Sequence, residues 1–106
     1  MNILFKYLYR DAGNFKKFNE IVFDNPNNLD VKDVIDKIQS KLIDATWFYA
    51  SMARVPDMHF VEFKYNDELD VAWHEFEVCE ETCEESNDFF LRDIEAFIDE
   101  LRAPMY

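Results

Sequence analysis

The chain has 106 residues, a length for one domain rather than two. Hydrophobic residues make up 49% of it and aromatics 17%, which is too apolar for a disordered chain and enough for one modest core. The net charge is −12, which repels phosphate and anionic lipid, so direct nucleic-acid binding and membrane-surface binding are not expected.

Residues 2–9, NILFKYLY, alternate as a strand, with Ile3, Phe5, Tyr7 and Tyr9 on one side and Leu4 and Leu8 on the other. RDAGN follows, a turn built on the only glycine in the chain. FKKFNEIVF then returns as a second strand, so residues 2–23 read as a β-hairpin. DNPNN at 24–28 is a loop, because Pro26 cannot donate to a ladder. The next segment, LDVKDVIDKIQSKLID, is the clearest helix. Asp30 is its candidate N-cap, and Val31, Val34, Ile35, Ile38 and Leu42 form its apolar stripe.

TWFYASMA at 46–53 reads as a third strand, broken by Pro56 and Asp57. HFVEFKY at 59–65 alternates as a further strand, and NDELD is a polar loop. AWHEFEVCEE alternates again. Strict alternation places Trp73, Glu75, Glu77 and Cys79 on one face, with Ala72, His74, Phe76 and Val78 on the other. ESNDFFLRDIEAFIDEL closes the chain as a helix capped by Ser86 or Asn87. Its buried stripe is Phe90, Ile94, Phe97, Ile98 and Leu101, and Pro104 stops it. The expected fold is a single α+β domain: a hairpin, a helix, two or three more antiparallel strands and a C-terminal helix, both helices on one sheet face.

The N-terminus has no apolar core followed by a cleavage site, and no apolar run approaches a membrane span, so a cytoplasmic protein with reduced cysteines is expected. Charge is divided unevenly. Residues 1–53 hold seven Lys/Arg and seven Asp/Glu, whereas residues 54–106 hold four Lys/Arg and sixteen Asp/Glu. The whole excess therefore lies in the second half.

The densest chemistry is WHEFEVCEETCEES at 73–86, with one histidine, two cysteines and six glutamates. His74, Cys79 and Cys83 give H-x4-C-x3-C, which lacks the paired spacing of a structural zinc site, and alternation separates His74 from Cys79. No metal is expected. C-x3-C is not the C-x-x-C of thiol oxidoreductases, and neighbouring glutamates disfavour a thiolate. One cysteine is expected in the core and the other in a loop. No nucleophile elbow, phosphate loop or dinucleotide fingerprint is present, so no catalytic residue and no cofactor is assigned. His74 with Glu75, Glu77 or Asp70, or His59 with Asp57, is the acid–base set an enzyme would use.

Two binding readings remain. Glu75, Glu77, Glu80, Glu81, Glu84 and Glu85 can make one negative ridge, extended by Asp88, Glu95, Asp99 and Glu100, suited to a basic protein partner or to imitating a phosphate backbone. Trp47, Tyr49, Tyr65 and Trp73 form an aromatic surface if they share an open sheet face, fit for a homodimer or a ligand. The leading expectation is a non-enzymatic, self-associating protein that binds a protein partner through Trp73, His74, Glu75 and the glutamates after them. The alternative is a small-molecule site or small enzyme with a pocket near Trp73, His74 and Asp70.

KYLYRDAGNFK, SKLID, the Pro56–Asp57 step and DVAWHEF resemble small hypothetical bacterial proteins, some of them carried in mobile gene cassettes of the integron kind. That resemblance implies a bacterial cytosolic α+β protein, an accessory interaction or inhibitor role, and no catalytic residue. It gives Cys79 and Cys83 no role.

Overall fold

The computed structural model describes residues 1–10, 13–56, 58 and 73–101. Its elements are β1 (Asn2–Arg10), β2 (Lys16–Phe23), α1 (Val31–Ser40), β3 (Trp47–Tyr49), α2 (Ala50–Ala53), β4 (Trp73–Thr82) and α3 (Ile94–Glu100). The strands form one antiparallel sheet in the order β2-β1-β4-β3. The expected strand at 59–65, the loop after it, and Asp57, His59, Tyr65, Asp70, Ala72 and Pro104 lie outside the described residues.

β1 is central because it can be buried on both faces. Ile3, Phe5 and Tyr7 enter the main core, while Leu4 and Leu8 are buried on the opposite, outer face. The hairpin pairs Ile3 with Phe23 through to Arg10 with Lys16. α1 lays Val34 and Ile38 on the core face, and α3 adds Ile94, Phe97 and Ile98 to the same cluster. Both long helices therefore cover one face, and the fold is the α+β arrangement expected. Phe5 is the hub. Its ring lies within 4.9–6.4 Å of the rings of Tyr7, Phe23, Phe48, Phe76 and Phe97. Ring pairs at such separations add about 0.5–1.5 kcal/mol each beyond their buried area.

Three local expectations are corrected. First, the third strand stops at Tyr49 and not at Ala53, where Ala-Ser-Met-Ala turns into α2. No β-branched residue follows Tyr49 until Val55, alanine and methionine favour helix, and buried Ala50 and Ala53 let the turn pack closely. Arg54 closes it in the left-handed region at φ 56°.

Second, the C-terminal helix begins at Ile94, not near Ser86. Asp93 is its N-cap, accepting from the Ala96 amide at 2.8 Å. Asn87 is engaged elsewhere, its amide donating to the Val22 carbonyl and its side chain accepting from the Val22 amide. Phe90 lies outside the helix and is exposed.

Third, His74 and Cys79 share a face. The β1–β4 register steps from Lys6–Val78 to Tyr7–Phe76, so Glu77 is an extra, bulged residue. A bulge shifts the alternation by one. His74, Phe76 and Cys79 consequently all point into the core, while Trp73, Glu75, Val78 and Glu80 take the outer face.

Candidate interaction surface

Of the residues singled out from the sequence, Trp47, Tyr49, Trp73 and Glu75 meet on the outer face. Register places Trp47 opposite Glu75 and Tyr49 opposite Trp73. The Trp73 ring stands edge-on to Tyr49 at 5.3 Å and to Trp47 at 6.3 Å, and all three are half-buried. This is the expected aromatic surface, apart from Tyr65. Glu75 beside it accepts from Arg10 Nε at 2.7 Å across the β1–β4 pair.

His74 is turned the other way. It is fully buried against Tyr7, Tyr9 and Phe48, with ring separations of 5.3–6.0 Å. Its Nε2 accepts from the Met58 amide at 3.0 Å, so the neutral imidazole that fits carries its proton on Nδ1. Adjacent strand residues point to opposite faces, so Trp73 and His74 line no common pocket. His74 is a core histidine that supplies an acceptor to a passing backbone.

The acidic ridge is divided by the sheet. Lys6 pairs with Glu80 at 3.6 Å and Arg10 with Glu75, so cross-strand cations from β1 meet two of its carboxylates. Glu77, Glu81, Glu84 and Glu85 are exposed, and among the described residues none of them has an ion pair. Cys79 is buried and Cys83 exposed, both as free thiols. Burial pushes the Cys79 thiol up to about 12, far from a reactive thiolate. Among the described residues no group of three His, Cys, Asp or Glu could hold a metal ion, and no helix is long and apolar enough to cross a membrane.

The acidic half also carries a surface that strand and helix periodicity conceal. Asp88, Phe89, Phe90, Leu91 and Arg92 form a turn between β4 and α3. The Asp88 carboxylate accepts from the Arg92 amide at 3.0 Å and from its guanidinium at 2.9 and 3.0 Å, and the Leu91 amide donates to the Asp88 carbonyl. Arg92 then donates to the carbonyls of Ala53 at 2.7 Å and Arg54 at 2.9 Å, the free C-terminal end of α2, and to Glu100 at 2.6 Å. Its planar group lies over Phe97 at 5.1 Å and Phe90 at 5.5 Å. Burial pushes the Asp88 carboxyl up, but the hydrogen bonds and charge of Arg92 outweigh it, so it sits below the ordinary carboxylate range. Hydrogen bonds from Arg54 and Arg92 hold Glu100 low as well.

The outcome is an apolar knuckle. Phe89 is 87% exposed and Leu91 91%, with Phe90 at 45% under the Arg54 guanidinium. Leu91 sits at φ 57°, a left-handed value uncommon for a side chain of its size. Beside the knuckle lies a depression of about 430 Å³ lined by Ile21, Arg54, Val55, Pro56, Asn87 and Phe90, among others. One sequence signal pointed here: Asp93 in front of IEAFIDE is a readable N-cap, which would have left DFFLR outside the helix. Compared with family models, with curated proteins and with solved structures, the chain matches none.

Proposed function

We propose that this protein acts without catalysis, by docking its acidic half on another protein in the cytoplasm, and that it also self-associates. The observation that carries the reading is the exposure of Phe89 and Leu91 on a turn braced by a buried ion pair. Two large apolar side chains held in water are unfavourable for an isolated chain. Contiguous exposed apolar groups rimmed by charge are the usual anatomy of an interface centre. Glu84 and Glu85 precede the turn in the chain and are exposed, as is Glu81 near the end of β4, so the fitting partner offers an apolar slot bordered by lysine or arginine. The aromatic patch of Trp47, Tyr49 and Trp73 is a second contact area on the outer sheet face.

The test is affinity capture from a bacterial lysate with three baits: the natural protein, Phe89→Ala/Leu91→Ala, and Glu81→Lys/Glu84→Lys/Glu85→Lys. A partner retained by the first bait should be lost from the second at every salt concentration, since anchor residues contribute about 2 kcal/mol or more each. It should bind the third bait more weakly, chiefly at low salt, where exposed charges are least screened. Equal recovery of the same partners by the Phe89→Ala/Leu91→Ala bait overturns the reading.

A further inference from the structure

We propose that two copies of this chain join through the exposed edge of β2, pairing Lys16–Glu20 antiparallel with the same segment of the second copy. This rests on the self-association part of the reading above and on no part of the knuckle.

Among the described residues β2 is an edge strand of the sheet. At its C-terminal end the edge is closed. The Val22 amide donates to Asn87 Oδ1 at 2.8 Å, and the Val22 carbonyl accepts from the Asn87 amide at 2.9 Å. These bonds show that the backbone groups of Val22 point away from β1. Residues two apart in an antiparallel strand turn their N–H and C=O the same way, so those of Glu20, Phe18 and Lys16 point away from β1 too. Among the described residues nothing pairs with them. At the other end Asn14 lies in the left-handed region at φ 65°, which ends the extended run. The open edge is therefore Lys16 to Glu20, bounded on both sides. Its three outward-edge residues are exposed, Phe18 at 54%.

That segment, KKFNE, is complementary to itself when reversed. A two-fold axis through Phe18 sets Lys16 against Glu20 of the second copy, Phe18 against Phe18, and Glu20 against Lys16. Each of these pairs exchanges both of its N–H···O bonds, because all the groups involved point outward. Opposite-charge and aromatic cross-strand pairs are the ones that stabilise a sheet. Neighbouring registers fail. An axis through Asn19 sets Lys16 against Val22, whose groups Asn87 holds, and Phe18 against Glu20. An axis through Lys17 sets Glu20 against Asn14, which is not extended. The register is thus selected by the ends of the edge as well as by its charges.

Long-range charge favours the same edge. Residues 1–53 are charge-balanced while 54–106 carry the whole excess of −12, so contact through the second half of each copy would be repulsive. With the axis at Phe18, the two Val22 ends, where Asn87 closes the edge, lie on the order of 26 Å apart along the strands, well beyond the screening length of about 8 Å at physiological salt. One acid of the second half, Glu77, lines a depression with Phe18 and Glu20. The four described strands of each copy then form one continuous sheet, which removes both open β2 edges.

The experiment is sedimentation equilibrium on the purified chain up to roughly millimolar concentration, with circular dichroism and thermal melting of every variant. The natural chain should pass from its monomer mass of 12.8 kDa to twice that value as concentration rises. Lys16→Glu and Glu20→Lys should each remain monomeric, because each sets like charges opposite one another. The double variant Lys16→Glu/Glu20→Lys restores opposite pairing and should dimerise like the natural chain. Phe18→Pro should be monomeric yet folded, since the lost amide points away from β1. A natural chain that stays monomeric throughout overturns the proposal. So does a single charge variant that dimerises normally, or a folded double variant that does not dimerise. A natural chain that stays monomeric sinks the self-association part of the reading above as well, whereas a single charge variant that dimerises normally sinks this edge alone; none of these results bears on capture through Phe89 and Leu91.

Discussion

Two of the regions that hold α3 in the fold solve the same problem in opposite ways. At one, Phe97 stacks on Phe23 at 4.4 Å and meets Phe5 edge-on at 4.9 Å, a contact made wholly of rings. At the other, Arg92 reaches back from the residues before α3 to Asp88, Glu100 and two backbone carbonyls. The ring cluster is non-directional, and substituting one ring removes contact area in proportion. The Arg92 cluster is directional, and loss of Arg92 leaves the buried Asp88 carboxylate without its counter-charge and the Ala53 and Arg54 carbonyls without their donor. What the ion cluster adds is a turn of fixed shape, from which Phe89 and Leu91 project.

The largest effects should come from the hub residues. Phe5→Ala should cost about 3–5 kcal/mol of unfolding free energy, read from urea denaturation, because the surrounding rings cannot collapse into the space. A loss under about 1.5 kcal/mol would show that the ring cluster is not what holds α3. Arg92→Ala is expected to cost about 3–5 kcal/mol, by leaving Asp88 charged and buried and two carbonyls unpaired. Arg92→Lys should rescue little of this, as one ammonium cannot replace the two-point grip on Asp88.

A double replacement sharpens the contrast. Asp88→Leu/Arg92→Met should be more stable than Arg92→Ala alone, since paired apolar groups leave no orphaned charge. It should nonetheless weaken capture of a partner through Phe89 and Leu91, because the shape of the turn is no longer imposed. Full binding by that double variant would separate the ion pair from the knuckle.

A smaller effect is expected with acid. Asp88 and Glu100 both titrate below their ordinary values in the folded chain. Groups with depressed folded values contribute stability that is fully present above their unfolded values, near pH 4, and is lost as pH falls through the folded ones. Stability measured from pH 7 down to pH 2 should therefore drop below about pH 4 in the natural chain. The drop should be shallower in Arg92→Ala. The smallest effect should be that of Phe89→Ala or Leu91→Ala, within about 0.5 kcal/mol of the natural chain, since these exposed side chains add little to folding. A marked loss of stability there would mean that the knuckle is structural.

What could be read along the chain was whatever local periodicity decides. The hairpin over 2–23 and the α1 stripe of Val34 and Ile38 came out as expected, because alternation and 3.6-residue spacing are properties of contiguous residues. The aromatic trio of Trp47, Tyr49 and Trp73 was legible for the same reason, needing only that two strands pair. The Asp93 cap was present but overlooked, since Ser86 and Asn87 offered the same chemistry earlier in the chain.

Other features depend on partners far away in sequence. The face that His74 and Cys79 share is set by the bulge at Glu77, and that bulge exists because β1 dictates which residues of β4 lie opposite it. Phe90 left the helix stripe because Arg92 found the carbonyls of Ala53 and Arg54, nearly forty positions earlier. The acidic ridge was divided when Lys6 and Arg10 came within reach, diagonally across the β1–β4 pair, of Glu80 and Glu75. By itself, then, the sequence determined the class of fold, the hairpin, the first helix and the asymmetry of charge, each a sum or a repeat over neighbouring residues. Only the tertiary structure decided which side chains face water, because phase, pairing and the satisfaction of buried charge are settled between segments and not within them.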